Sequence, residues 1–199
     1  VLGNVVVAMG LAALIAFVYQ HQTGEPLMNS ENIAYQLHRI DPLDGSLWFA
    51  AIAGVWLFCS GIISGYFDNR SNYLNMRMRL AQHPLLKKLM SEKSRVKFAN
   101  YMHENYGSLI GNFCFGMLLG LTGLVGYLTH LPLDIRHVAF SSANLGYSAV
   151  SGQFAYPFFL QCIAFVLLIG LVNLMVSFSL TLWVALRSLN TEIESWWPI

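Results

Sequence analysis

The chain has 199 residues, of which 56% are hydrophobic and only 11% charged, and its mean hydropathy is +0.53. A soluble domain is about 25% charged, so too few ionisable side chains are present to coat a water-soluble globule of 22.3 kDa. That composition excludes a soluble enzyme, a disordered regulator and a secreted disulfide scaffold, and it leaves a polytopic membrane protein. The net charge of +1 gives no global basic field for nucleic acid.

Four apolar stretches are long enough to cross a bilayer, which takes about 20 residues. They cover 1–19, 47–67, 109–128 and 158–186. In lipid each backbone group must bond within its own segment, so the four runs predict helices and an all-α fold, read as a single transmembrane domain over 1–199. The chain begins with Val1 and has no basic segment ahead of its first apolar run, as expected of a piece of a longer protein.

The first connection, 20–46, carries Glu25, Glu31, Asp41 and Asp44 against the single Arg39. Asn29 or Ser30 is placed to cap a short helix through Ile40, and Asp41-Pro42 to stop it. The second connection, 68–107, holds eight of the 11 Lys and Arg residues. By the positive-inside rule it is cytoplasmic. Both chain ends then lie in the cytoplasm, and 20–46 and 129–157 lie on the outer face. From Pro84 onward, Leu85, Leu86, Leu89, Met90, Val96, Tyr101 and Met102 recur at near-helical spacing. Lys87, Lys88, Lys93, Arg95 and Lys97 fill much of the other face. This is an amphipathic helical loop suited to anionic headgroups, or a topology-setting loop packed on the bundle.

Small residues mark helix packing in lipid, where no hydrophobic drive brings helices together. Gly54, Gly61 and Gly65 lie on the second span, and Gly116, Gly120 and Gly123 on the third. Gly170 shares a stripe with Asn173, Ser177 and Thr181 on the fourth. These faces form tight contacts or line a path. Cys59, Cys114 and Cys162 sit in apolar runs with no CxxC spacing and read as small hydrophobes, so neither a disulfide nor a metal site is expected. No cofactor is called for.

The third connection is unusual. Residues 131–147 (LPLDIRHVAFSSANLGY) are too polar for an ordinary span and too apolar for an exposed loop. Pro132 suits a first helical turn. On a helix, Asp134, His137, Ser141, Asn144 and Ser148 share a face, and Asp134 and His137 can pair at i,i+3. The expectation is a re-entrant or interface helix whose polar face looks into the bundle. Ionisable groups near a bilayer cost about 2.5–3.5 kcal/mol at the centre of a span, so Asp134, Arg136 and His137 need partners. Arg136 would meet an anionic headgroup or an acidic side chain of the outer cap. Asp134, Arg136, His137, Ser141, Ser142, Asn144 and Asn173 are the candidate ligand-binding set. No catalytic set is assigned, because one short helix does not readily supply nucleophile, base, orienter and oxyanion hole together.

Residues 50–69 (AAIAGVWLFCSGIISGYFDN), 83–89 (HPLLKKL), 104–120 (ENYGSLIGNFCFGMLLG), 131–147 and 173–188 (NLMVSFSLTLWVALRS) resemble a bacterial inner-membrane family that bears the name site-specific recombinase. The resemblance implies a bacterial inner-membrane location and a longer parent with a large N-terminal region. It carries no catalytic residues that transfer to this chain. Strand exchange takes a Ser or Tyr nucleophile amid several Arg at one phosphate, on an enzyme that wraps duplex DNA. Here Arg39 and Arg136 fall on the outer face. Tyr73 and Tyr101, near Arg77, Arg79 and Arg95, fall in a loop of about 40 residues, below the size of an ordinary domain. Nucleic acid is therefore not an expected partner. Membrane lipids are, along with further subunits or a second copy of the chain. Two functions fit: a membrane-embedded binding or transport module for a lipid-like or small polar ligand, and a structural anchor or scaffold of a larger complex.

Overall fold

The computed structural model describes residues 2–131 and 133–188, and all regular structure among them is helical. Eight α-helices follow in order: α1 (Leu2–Thr23), α2 (Ser30–Ile40), α3 (Ser46–Tyr73), α4 (Met76–Gln82), α5 (Pro84–Leu89), α6 (Glu92–Thr129), α7 (Val138–Ser151) and α8 (Tyr156–Ser188). Helices α1, α3, α6 and α8 are each long and apolar enough to cross a membrane. They contain the four predicted apolar runs, apart from Val1, which lies outside the described residues. Their surfaces fit that reading: Leu11, Leu14 and Phe17 on α1, Phe113 and Leu121 on α6, and Leu174 and Phe178 on α8 are exposed. Exposed apolar surfaces of this extent mark contact with lipid or with another protein.

Contacts divide the chain into two compact units, Val1–Val55 with Thr122–Ile199, and Trp56–Leu121. In the first unit, α7 packs on α1, α8 and α2. Val5, Ile40, Ala50, Val138, Leu145, Cys162, Val166 and Ile169 form its core. Gly146 lets α7 approach α1 closely, since a Cβ there would meet Ala12 Cβ and the backbone of Met9 and Ala13. Helix α2 begins and ends as the sequence predicts. Asn29 Oδ1 accepts from Asn32 N at 2.8 Å, and extended Asp41 ends the helix before Pro42. A 3-10 turn, Pro42–Asp44, and left-handed Gly45 (φ 76°) then redirect the chain into α3.

In the second unit, Gly107 and Gly111 bring α6 against Ser60, Ser64 and Asp68 of α3. Asp68 Oδ1 accepts from Gly107 N at 2.9 Å, and Ser71 Oγ lies 3.0 Å from His103 Nδ1. The helix start at Pro84 is present and opens a short helix. Extended Met90 breaks it, and Ser91 Oγ accepts from Ser94 N as the first turn of α6 forms. The basic stretch from Glu92 therefore runs without interruption into the third apolar run, as one helix of 38 residues. Arg95 donates from Nε to Ala81 O at 2.6 Å.

The glycine faces also differ from expectation. Gly54 makes a close contact, with Val176 Cβ 2.8 Å from where its own Cβ would lie. Gly170 is buried. Gly61, Gly65, Gly116, Gly120 and Gly123 would meet nothing within 4 Å, so their GxxxG motifs face no neighbour among the described residues. Spacing marks a smooth face; it does not select which smooth face a partner helix takes.

Candidate functional site

The segment ahead of α7 is not helical. Leu133 to His137 run without regular structure, and α7 starts only at Val138. Asp134 and His137 thus do not share a helix face with Ser141 and Asn144. Pro132, expected in the first turn of that helix, lies outside the described residues. At 14 residues, or about 21 Å, α7 is too short to span a bilayer.

Asp134 pairs with arginines, not with His137. Its Oδ1 accepts from Arg39 Nη2 at 2.7 Å and from Ile135 N at 2.7 Å, and its Oδ2 forms an ion pair with Arg136 Nη1. Arg136 also donates from Nε to Arg39 O at 2.7 Å. Arg136 finds its acid on its own segment, so the predicted partner on the outer cap is replaced by a carbonyl of that cap. Two aromatic rings complete the cluster. The Arg39 guanidinium carbon lies 5.3 Å from the Tyr35 ring centre, and that of Arg136 lies 5.4 Å from Phe49.

The electrostatics follow from burial. Burial alone pushes the Asp134 carboxyl up, but the hydrogen bond and charge of Arg136, the charge of Arg39 and the Ile135 amide outweigh it. The group is held below its ordinary value. Burial lowers Arg136, against the pull of Asp134 and with the like charge of Arg39. His137 is lowered by burial, and its ring meets Phe140 edge-on at 5.8 Å.

The cluster faces two spaces. On one side is an open cavity of about 380 Å³, lined by Tyr35, His38, Arg39, Asp44, Phe49, Leu131, Leu133, Asp134 and Arg136. On the other is a recess of about 20 Å³ bordered by Gln36, Arg39, Ile40, Ile135, Arg136, Phe140, Ser141 and Asn144. The fold therefore does bring Arg136, Ser141 and Asn144 together, and it adds Arg39 and Tyr35, which sequence reasoning did not include. The available signal was the lone Arg39 in an otherwise acidic connection.

Asn173 and Ser142 lie elsewhere, and their polar atoms are taken by backbone. Asn173, 2% exposed in the middle of α8, donates from Nδ2 to Ala50 O (2.7 Å) and Arg136 O (3.0 Å). Its Oδ1 accepts from Val138 N at 3.0 Å. It thereby caps α7 from another helix, a role that the side chain of His137 does not fill. Ser142 Oγ donates to Val138 O at 2.6 Å. Among the described residues no group of three or more His, Cys, Asp or Glu side chains is placed to hold a metal.

Four helices long and apolar enough to cross a membrane, with an arginine–carboxylate cluster ahead of α7, define an α-helical protein with a charged recess. The family model for site-specific recombinase matches residues 1–199, and the chain belongs to that family. No curated protein and no solved structure matches it.

Proposed function

We propose that this is an integral membrane protein of the bacterial inner membrane, with both ends of 1–199 in the cytoplasm, that binds a small polar or lipid-like ligand at Arg39, Asp134 and Arg136. The basic residues of 68–107 support the orientation. The observation that carries the ligand reading is the open cavity of about 380 Å³ lined by two arginines and two carboxylates, with Arg39 and Arg136 converging on Asp134. Ligand sites are usually concave, mostly apolar and fitted with a few convergent polar groups, and about 300–1,000 Å³ is typical. Lys87, Lys88, Lys93 and Lys97 supply a separate contact with anionic headgroups. Alanine substitution at Asp134 and at Arg39 tests the site. Loss of a co-purifying ligand with unchanged helicity and thermal midpoint supports it; retention of that ligand in both variants refutes it.

A second reading, a structural anchor or scaffold, is favoured by Asn173. Every polar atom of its side chain serves the bundle, so it does not line a transport path. Under that reading the same substitutions lower stability and change nothing else. DNA strand exchange is not the reading we adopt, although Tyr35 does stand beside Arg39 and Arg136. Duplex DNA presents a phosphate about every 1.7 Å and is held by broad basic surfaces. This cavity offers two arginines facing two aspartates. A covalent phosphotyrosyl adduct at Tyr35 on a nicked duplex would overturn that judgement.

A further inference from the structure

We infer that the cavity at Arg39, Asp134 and Arg136 is a receptor for an anionic phosphate headgroup; this rests on the reading of the cavity as a ligand site. The cluster carries two guanidiniums and one carboxylate. Asp134 is shared between both, and Arg39 Nε is buried with no hydrogen-bond partner among the described residues. Arg136 is only 7% exposed. A guanidinium that deep is costly unless anions surround it. The second carboxylate on the lining, Asp44, lies 3.3 Å from His38 Nε2 and does not touch the arginines. A tetrahedral phosphate suits this arginine pair, because guanidinium forks match its oxygens.

The position of the cavity argues for a lipid as the source. Trp48, in the first turn of α3, is 71% exposed, and Tyr127, in the last turn of α6, is 78% exposed. Exposed Trp and Tyr at helix ends sit at headgroup level. Phe49 and Leu133, which neighbour these ends, line the cavity. Leu131 adds an exposed apolar rim along which an acyl chain can lie. A soluble phosphate ester shares the headgroup chemistry but gains nothing from that rim.

The test uses the whole chain in dodecyl maltoside, an uncharged detergent without phosphate. Inorganic phosphate, glycerol 3-phosphate, short-chain phosphatidylglycerol and dioctanoylglycerol are the probes, read by native mass spectrometry and thermal midpoint. Arg39→Gln is the main variant, because Asp134 keeps Arg136 and the fold survives. Arg39→Lys retains charge without the fork, and Lys88→Gln controls for surface charge. Phosphatidylglycerol should bind wild type and the Lys88 variant alike, Arg39→Lys more weakly, and Arg39→Gln at least tenfold more weakly. Equal affinity for glycerol 3-phosphate would keep the phosphate chemistry and replace the lipid by a soluble ester. Retention of dioctanoylglycerol that depends on Arg39, with no competition from phosphatidylglycerol, would overturn the phosphate assignment and leave a ligand site. If no probe separates wild type from Arg39→Gln, both readings fall.

Discussion

Replacing Asn173 by alanine removes three hydrogen bonds at once, and the structure shows which of them matter. Ala50 O lies inside α3 and keeps its helical partner. Val138 N and Arg136 O have no such reserve: the first is an N-terminal amide of α7, and the second belongs to the irregular segment before it. Two buried backbone groups are therefore orphaned. At about 0.6–2 kcal/mol each, from the averages for hydrogen bonds inside membranes and in proteins generally, the loss is roughly 1–4 kcal/mol. Unfolding from mild detergent into dodecyl sulfate, followed by circular dichroism, measures it. Hydrogen exchange localises it, since the α7 amides should lose protection first. Asn173→Asp, whose carboxylate faces the two carbonyls to which Nδ2 donates, should recover none of the loss at neutral pH. A change below about 0.5 kcal/mol in Asn173→Ala, or intact stability with lost ligand binding, would refute the capping role and return Asn173 to the ligand site.

Gly146→Leu should destabilise by about 1–3 kcal/mol, because the added side chain meets Met9 and Ala12 across the α1–α7 contact. Gly123→Ala, with nothing within 4 Å, should be neutral or stabilising by up to about 1 kcal/mol in the same titration. Ser71→Ala should cost about 1 kcal/mol by removing the contact with His103, and a thermal midpoint equal to wild type would refute it. The Asp134 carboxyl is depressed, so its contribution is full above the ordinary value of 3.8 and is lost as pH falls from there through the folded value. Midpoints against pH should show that decline in wild type and not in Asp134→Asn. The depressed His137 imidazole predicts an earlier decline, starting as pH falls below 6.5 and absent in His137→Gln.

Local chemistry was readable where it acts over a few residues. The α2 cap at Asn29, its stop at Asp41-Pro42 and the helix start at Pro84 are properties of adjacent backbone and side chains. The four apolar helices were readable because their runs are long and uninterrupted by charge. The site was only half readable. Asp134 and Arg136 stand out by their cost near lipid, but a pairing of Asp134 with His137 at i,i+3 needs helix before Val138, where there is none. The pairing that forms reaches across 95 residues to Arg39. No spacing rule covers that distance.

By itself, then, the sequence determined four helices long and apolar enough to cross a membrane, the helical content and the rarity of ionisable groups away from 68–107, since those depend on composition and on runs of like residues. Tertiary structure decided which smooth faces are used, which arginines share Asp134, and that Asn173 caps α7. Those choices depend on helices meeting in space, where one Cβ at Gly146 or Gly107 sets the approach and a buried polar atom bonds whatever backbone the packing brings to it.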